Sequence, residues 1–122
     1  MIKFLIFSIF FHILLCRKIE FVGLIKCQKP DWCYKLIFWE EDNYEDDFVF
    51  ETRRHCSKKS NLTNSVIAEH GWDASLHYEF YMYVTHNCTT SGNNSTFRYT
   101  FPEYPAMESV NIKYQLDITD MS

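Results

Sequence analysis

The chain of 122 residues has no excess of basic residues. Its 12 lysines and arginines are outnumbered by 16 aspartates and glutamates, which gives a formal net charge of −4. A domain that binds nucleic acid normally presents a basic surface to the phosphate backbone. A polybasic dock for an anionic membrane needs the same excess of positive charge. The charge balance therefore argues against both kinds of partner.

Glycine is scarce, with three in the whole chain, whereas aromatic residues make up 18% of it. Aromatic side chains favour a half-buried pleated surface, and a disordered chain would contain far fewer of them. No segment has a convincing helical pattern. We therefore expect an ordered domain that is rich in β-structure.

A long apolar run is also missing, because the one at the N-terminus is shorter than the roughly 20 residues that span a membrane comfortably. Residues 1–16 have a positive charge at Lys3 and an apolar middle, and polar Arg17 and Lys18 follow them. This layout is typical of a secretory signal peptide, with cleavage after Cys16. An uncleaved N-terminal anchor is the alternative. We expect residues 17–122 to form one secreted, extracellular domain without a transmembrane span.

The common catalytic motifs are absent from the sequence. It contains neither a Gly-x-Ser-x-Gly elbow nor a His-Glu-x-x-His helix. A nucleophilic cysteine would have to be free, and disulfides are expected to use the four cysteines after residue 16. The histidines lack the close spacing of a pair of metal ligands; they are His55, His70, His77 and His86. We expect no catalysis, no cofactor and no metal site.

The clearest pattern that is present lies between Tyr78 and Cys88. Every second residue is suited to a buried face: Phe80, Met82, Val84, His86 and Cys88. A period of two over this stretch predicts a long strand with one buried face. The parity makes His86 a hydrogen-bonded histidine of the core.

Other segments complete an all-β pattern of about seven strands. We predict strands at 18–27, 34–39, 48–52, 64–70, 96–101 and 112–119, with Gly23 marking a bulge or a close approach. Residues 40–47 are acidic and predict a solvated connection, with weak cation binding as a minor alternative. Residues 53–63 are expected to form a long polar loop. Seven strands without a helix predict a β-sandwich with Greek-key connections.

Four cysteines follow the apolar segment: Cys27, Cys33, Cys56 and Cys88. An even number in a small secreted domain predicts two disulfides, and four cysteines allow three connectivities. Cys27 and Cys88 continue the inward-facing parity of their strands, which favours a bridge between them and leaves Cys33 with Cys56. A local bridge from Cys27 to Cys33 across the turn at Pro30 is the alternative.

Acceptor sites for N-glycosylation support passage through the secretory pathway. Sequons for N-glycosylation occur at Asn61, Asn87, Asn93 and Asn94. We expect two or three of them to be occupied, at surface turns.

Aromatic side chains are also expected on the outside of the strands. Trp39, Tyr81 and Tyr83 have the parity opposite to the inferred core. If they cluster on one sheet, they form a recognition or dimer surface. The alternative is that loops cover both sheet faces.

Three landmarks carry a family resemblance. They are the segment Phe21–Cys27, the strand Leu36–Trp39 with acidic residues after it, and the ending His86-Asn87-Cys88. In this order and spacing they resemble the transthyretin-like family of secreted nematode proteins, over nearly all of residues 19–119. The resemblance implies a transthyretin-type (immunoglobulin-like) β-sandwich, an extracellular location and a Cys27–Cys88 disulfide. The segment 53–56, Arg-Arg-His-Cys, departs from the family's acidic-then-glycine turn.

The expected function is that of an extracellular binding or signalling module without catalytic activity. Its ligand would be an extracellular protein, a lipid or a small molecule. A carrier of a small hydrophobic ligand, in the manner of vertebrate transthyretin, is the first alternative. A 5-hydroxyisourate hydrolase is the second, although the Tyr-Arg-Gly-Ser C-terminus of that enzyme is missing here.

Overall fold

The structure, a computed structural model, describes residues 17–70, 77–106 and 109–122. The signal peptide expected at residues 1–16 lies outside the described residues, as does most of the connection expected after His70. Ten strands and no helix occur in the described ranges, which confirms the all-β class. The strands are β1 Arg17–Lys26, β2 Trp32–Glu40, β3 Asp47–Glu51, β4 His55–Ser57, β5 Asn61–His70, β6 His77–Tyr78, β7 Phe80–His86, β8 Ser95–Thr100, β9 Tyr104–Pro105 and β10 Ser109–Asp117.

Most of the strands belong to two sheets. The first sheet has the order β10-β1-β5, in which β1 is parallel to β10 and antiparallel to β5. The second sheet has the order β3-β2-β7-β8 and is antiparallel throughout, with β4 pairing to the other end of β2. The short strands β6 and β9 pair with each other.

The inner faces of the two sheets meet around Phe21 of β1. Its ring centroid lies 4.4 Å from that of Phe38, 5.3 Å from that of Phe80 and 5.4 Å from that of Phe101. Phe38 and Phe80 belong to the second sheet, so aromatic contacts join the sheets across one shared core. Such rings bury a large apolar area, which is the main stabilising contribution in a domain of this size.

Gly23 lies on the inner face of β1, opposite Tyr114 of β10. A Cβ atom at position 23 would lie 2.1 Å from Cζ of Tyr114. The missing side chain therefore makes room for the tyrosine ring. Of the two expectations for Gly23, the structure shows the close approach.

Two disulfides tie the sheets and strands together. Cys27 pairs with Cys88, and Cys33 with Cys56, as the parity of the strands favoured. Both sulfurs of the first bridge belong to buried residues. The second joins directly opposed residues of β2 and β4, and Cys56 is exposed.

Several expected boundaries are wrong. The expected loop at 53–63 contains β4 and the start of β5, so β5 begins at Asn61 rather than residue 64. The expected long strand at 78–88 is divided by Glu79 into β6 and β7, and Cys88 lies beyond β7. Ten strands are present in the described residues, three of them with two or three residues, instead of about seven.

Candidate binding surface

The outer face of the second sheet carries a group of neighbouring aromatic side chains and one arginine. We call this surface the aromatic face; its members are Trp39, Phe48, Tyr81, Tyr83 and Arg98. Alternation along β2, β7 and β8 directs the members on these strands away from the core, because the inner positions are taken by Phe38, Met82 and Phe97 among others. Phe48 belongs to β3 and joins them by pairing with Trp39.

Strand register brings the members of the aromatic face together. Trp39 lies directly opposite Tyr81 on one side and opposite Phe48 on the other. Tyr83 lies opposite Arg98. The structure thus places all three aromatic residues expected from the sequence, Trp39, Tyr81 and Tyr83, on one sheet face. Phe48 and Arg98 were missed because their position depends on the pairing of β3 and β8.

The side chains of the aromatic face touch one another in favourable orientations. The rings of Trp39 and Phe48 are 5.6 Å apart at 81°, and those of Tyr81 and Tyr83 are 5.7 Å apart at 87°. Edge-to-face pairs of this kind contribute about 0.5–1.5 kcal/mol beyond their buried area. The guanidinium carbon of Arg98 lies 3.6 Å from the ring centre of Tyr81, within cation–π distance.

Tyr81 packs beneath the side chains of Tyr83 and Arg98 and is itself only 4% exposed. Its hydroxyl donates a 2.5 Å hydrogen bond to Oδ2 of Asp46, in the connection between β2 and β3. Burial and this carboxylate raise the pKa of the Tyr81 phenol to about 12. The same hydrogen bond, with one from the Asp42 amide, lowers the pKa of Asp46. Tyr81 therefore fixes the acidic connection rather than offering a free contact.

The exposed part of the aromatic face is formed by Phe48, Tyr83 and Arg98. Phe48 is 53% exposed and Tyr83 is 37% exposed. Arg98 is exposed as well, and Trp39 is half-buried. A salt bridge between Lys35 and Glu51, with an Nζ–Oε1 distance of 3.1 Å, joins the neighbouring parts of β2 and β3.

The expectation of a fully solvated acidic segment at 40–47 needs correction. Glu40 is the last residue of β2 and has no exposed surface. Alternation along β2 places it on the same inward face as Leu36 and Phe38. By contrast, Tyr44 is fully exposed, so the middle of the connection is solvated as expected.

Glu40 lies beside two other groups that are able to bind a metal ion. One ligand atom each from Glu40, Asp47 and His70 lie within 4.8 Å of one another. Glu40 and Asp47 are direct partners in the pairing of β2 with β3, whereas His70 is distant in sequence and is brought there by the packing of β5 against β3. Sequence spacing gave no sign of this cluster. The alternation along β2 could have indicated the buried position of Glu40, since it directs this glutamate toward the core.

The other histidines have different surroundings. His55 packs its ring against Tyr34, and Nδ1 of His77 lies 3.9 Å from Oε1 of Glu103. His86 is buried, with Nδ1 accepting a hydrogen bond from the Cys88 amide at 3.0 Å. Nε2 of His86 must then carry the proton that it donates to the Met121 carbonyl at 2.8 Å. Burial lowers the pKa of His86.

The four sequons differ in how accessible their asparagines are. Asn61, Asn93 and Asn94 are exposed. Asn87 is half-buried, and its Oδ1 accepts a 2.7 Å hydrogen bond from the Cys33 amide. Its Nδ2 atom, to which a glycan would be attached, is not used by that bond.

Fold and surface together define a disulfide-bonded all-β domain of two packed sheets, with an aromatic face on one of them. The model of the family described as "Caenorhabditis elegans protein of unknown function (DUF870)" matches residues 23–122, and the chain belongs to that family. No curated protein and no solved structure was found to match the chain. The nematode part of the expected resemblance is thereby confirmed, and the transthyretin-like part stays a prediction.

The described residues contain no helix that is long and apolar enough to cross a membrane.

Proposed function

We propose that this protein is a secreted, non-catalytic extracellular module that binds another protein through its aromatic face. The observation that carries the proposal is the composition of that face. Trp, Tyr and Arg are the residue types most enriched among the contacts that dominate protein–protein affinity. Here they lie side by side on one rigid sheet, where their side chains lose little conformational entropy on binding.

The shape of the surface favours a protein over a small hydrophobic ligand. The aromatic face is the outer side of a sheet, and small ligands usually bind in concave sites. Depressions that open elsewhere have mixed polar lining; one of about 430 Å³ lies beside β3 and β5 and includes Arg53 and Asn64. Between the sheets, the close aromatic contacts around Phe21 fill the core with side chains. A carrier role is therefore the weaker alternative.

Secretion is supported by three independent features. The first is the signal-peptide pattern of residues 1–16. The second is the pair of disulfides, which form and persist mainly in oxidising compartments. The third is the exposure of three of the four sequon asparagines.

We also propose that the two sheets form a sandwich of the transthyretin type. Support comes from the resemblance in the landmarks around Cys27 and Cys88 and from the bridge between those cysteines. The two-sheet arrangement, with the first and last long strands paired in parallel, agrees with a sandwich of that type. The proposal concerns the fold and does not extend to 5-hydroxyisourate hydrolysis.

The experiment is a binding screen of the glycosylated mature protein against a library of nematode extracellular domains. The test variant is Tyr83→Ala/Arg98→Ala, since both side chains are exposed and carry no core contact on their strands. The matched control is Ile67→Ala/Lys113→Ala, two exposed residues on the outer face of the first sheet. We expect any saturable partner to lose at least tenfold in affinity with the test variant and less than twofold with the control.

Two results would contradict the proposal. One is a partner whose affinity is lowered by the control variant and not by the test variant. The other is turnover of 5-hydroxyisourate by the purified protein, which would show a hydrolase. Light scattering on the same preparations identifies self-association, in which case the partner is a second copy of the chain.

A further inference from the structure

Three strand ends meet at one edge of the molecule, between the two sheets. Glu40 ends β2, Asp47 begins β3 and His70 ends β5. β2 and β3 belong to the second sheet, and β5 is one of the two edge strands of the first. The cluster therefore joins the two sheets, and Glu40 and Asp47 directly adjoin Trp39 and Phe48 of the aromatic face.

The geometry of the cluster suits one small cation. Its three ligand atoms all lie within 4.8 Å of one another. Zinc binds nitrogen and oxygen ligands at about 2.0–2.2 Å with tetrahedral geometry, so two ligand atoms of the same ion are about 3.4 Å apart. One ion would be bound after rotation of the Asp47 side chain, which is exposed, brings its carboxylate closer to the other two ligand atoms.

Charge gives a second, independent reason. The Glu40 side chain is 1% exposed, and the His70 side chain next to it is 11% exposed. Burying a carboxylate is costly unless positive charge compensates for it. Nε2 of His70 contacts Oε2 of Glu40, so a protonated imidazole compensates only one of the two negative charges that the carboxylates of Glu40 and Asp47 carry together. A divalent cation that replaces this proton compensates both charges.

We propose that Glu40, Asp47 and His70 form a binding site for a divalent transition-metal ion, for which Zn²⁺ is the best candidate. An imidazole ligand suits zinc, copper, iron and nickel, whereas calcium and magnesium take oxygen ligands. Two carboxylate oxygens and one nitrogen leave a fourth position for water. The ring of His70 is oriented by its edge contacts with Tyr78 and Phe80, with centroids 6.1 Å and 6.4 Å away.

The bound ion would act as a clip between the sheets. It would connect β5 to the ends of β2 and β3, which neither disulfide reaches, since Cys33–Cys56 lies at the other end of β2. An ion that binds only the folded state raises the midpoint of thermal unfolding as its concentration exceeds the dissociation constant. Extracellular zinc would then set the stability of this edge.

The experiment is calorimetric titration of Zn²⁺ into the oxidised mature protein after removal of metals with a chelator. We expect saturation at one ion per chain and an increase in the thermal unfolding midpoint. Asp47→Asn and His70→Gln are each expected to weaken binding by at least tenfold. His77→Gln is the matched control, because His77 is also near a carboxylate, that of Glu103, at an exposed site. It should change the affinity less than twofold.

Asp47→Asn is the decisive variant, because Asp47 is exposed and its substitution by the isosteric amide leaves the core intact. Titration with Co²⁺ adds a spectroscopic measurement, since the visible absorption of cobalt shifts and becomes more intense when a four-coordinate site replaces its shell of water. Absence of saturable binding overturns the proposal. So does a dissociation constant that either Asp47→Asn or a folded His70→Gln variant leaves unchanged.

Discussion

At the scale of single residues, the absence of a side chain at Gly23 is as important as the presence of one at Tyr114. The Tyr114 ring packs edge-on to Phe101, with centroids 5.3 Å apart, so it has little freedom to move away. We expect Gly23→Ala to destabilise the fold by about 1–3 kcal/mol, because overpacking forces the ring or the strand to shift. Urea denaturation of the wild type and the variant measures this difference.

A second substitution separates steric conflict from a general loss of strand stability. In Gly23→Ala/Tyr114→Leu the atoms that collide are removed. The combined cost should therefore be smaller than the sum of the two single costs by about 0.5–3 kcal/mol, the range seen for residues in contact. Additive costs would show that the Tyr114 ring is not what requires glycine at this position.

His86 makes stability dependent on pH for a similarly local reason. Its pKa is lowered by burial, and protonation of Nδ1 would break the hydrogen bond from the Cys88 amide. Since the unfolded chain binds the proton more readily, the stabilisation is present above the unfolded pKa of about 6.5 and is lost as the pH falls toward the folded pKa. We expect the urea midpoint to fall between pH 7.5 and pH 5.

The matched variant for this test is His86→Gln, whose amide offers one acceptor and one donor without titrating. Its urea midpoint should vary less over the same pH range than that of the wild type. The pKa values of Asp46, Asp117 and Asp120 are lowered, so these carboxyl groups change the stability of the fold at more acidic pH. An equal pH dependence in both proteins would assign the effect to other groups.

At the scale of elements, the connection between β2 and β3 is attached to the sheet at Asp46. We expect Tyr81→Phe to remove this attachment and to lower the stability of the fold slightly, because a hydrogen bond to a charged group is lost while Asp46 can still be hydrated. Hydrogen exchange of residues 41–46 should accelerate. Tyr83→Phe, on the same strand and face, is the control and should leave that exchange rate unchanged.

How well each element could be predicted depends on how clearly its two faces differ. The inner positions of β1 and β7 hold mainly large apolar side chains, and the parity of these positions predicted the core and the pairing of Cys27 with Cys88. β4 and the first half of β5 are largely exposed, and only Val66 and Ala68 of β5 are buried. A strand without a distinct apolar face resembles a loop in sequence.

The candidate sites were less predictable than the strands because they depend on pairing between distant segments. Parity placed Trp39, Tyr81 and Tyr83 outside, but the cover that Asp46 gives to Tyr81 follows from the path of a connection. The contact of Glu40 with His70 joins strands of different sheets. Local pattern rules carry no information about such contacts.

At the scale of the whole molecule, the two disulfides are expected to differ in importance. The Cys27–Cys88 bridge spans 61 residues and Cys33–Cys56 spans 23, which corresponds to about 4 and 3 kcal/mol in the chain-entropy model. The first bridge is also buried in the core. We therefore expect Cys27→Ala/Cys88→Ala to reduce secretion from eukaryotic cells more strongly than Cys33→Ala/Cys56→Ala.

Secreted and retained protein of both variants is measured by immunoblotting after removal of N-glycans. The removal itself should increase the mobility of the wild type on a gel, because two or three sequons are expected to be occupied. Equal secretion of the two variants, or a larger loss for the Cys33–Cys56 pair, would contradict the proposed order.

The parallel pairing of β1 with β10 has a consequence for the order of events during synthesis. Lys18 pairs with Ser109, and Lys26 with Asp117, so the first strand completes its sheet only with the last. A ribosome adds about 5–20 residues per second, so several seconds pass between the synthesis of β1 and the synthesis of β10. During that time the inner side chains of Ile19, Phe21 and Ile25 have no partner from β10. Contacts of such long sequence separation also slow the folding step itself. The apolar inner face of β1 therefore lacks part of its cover until the final strand emerges.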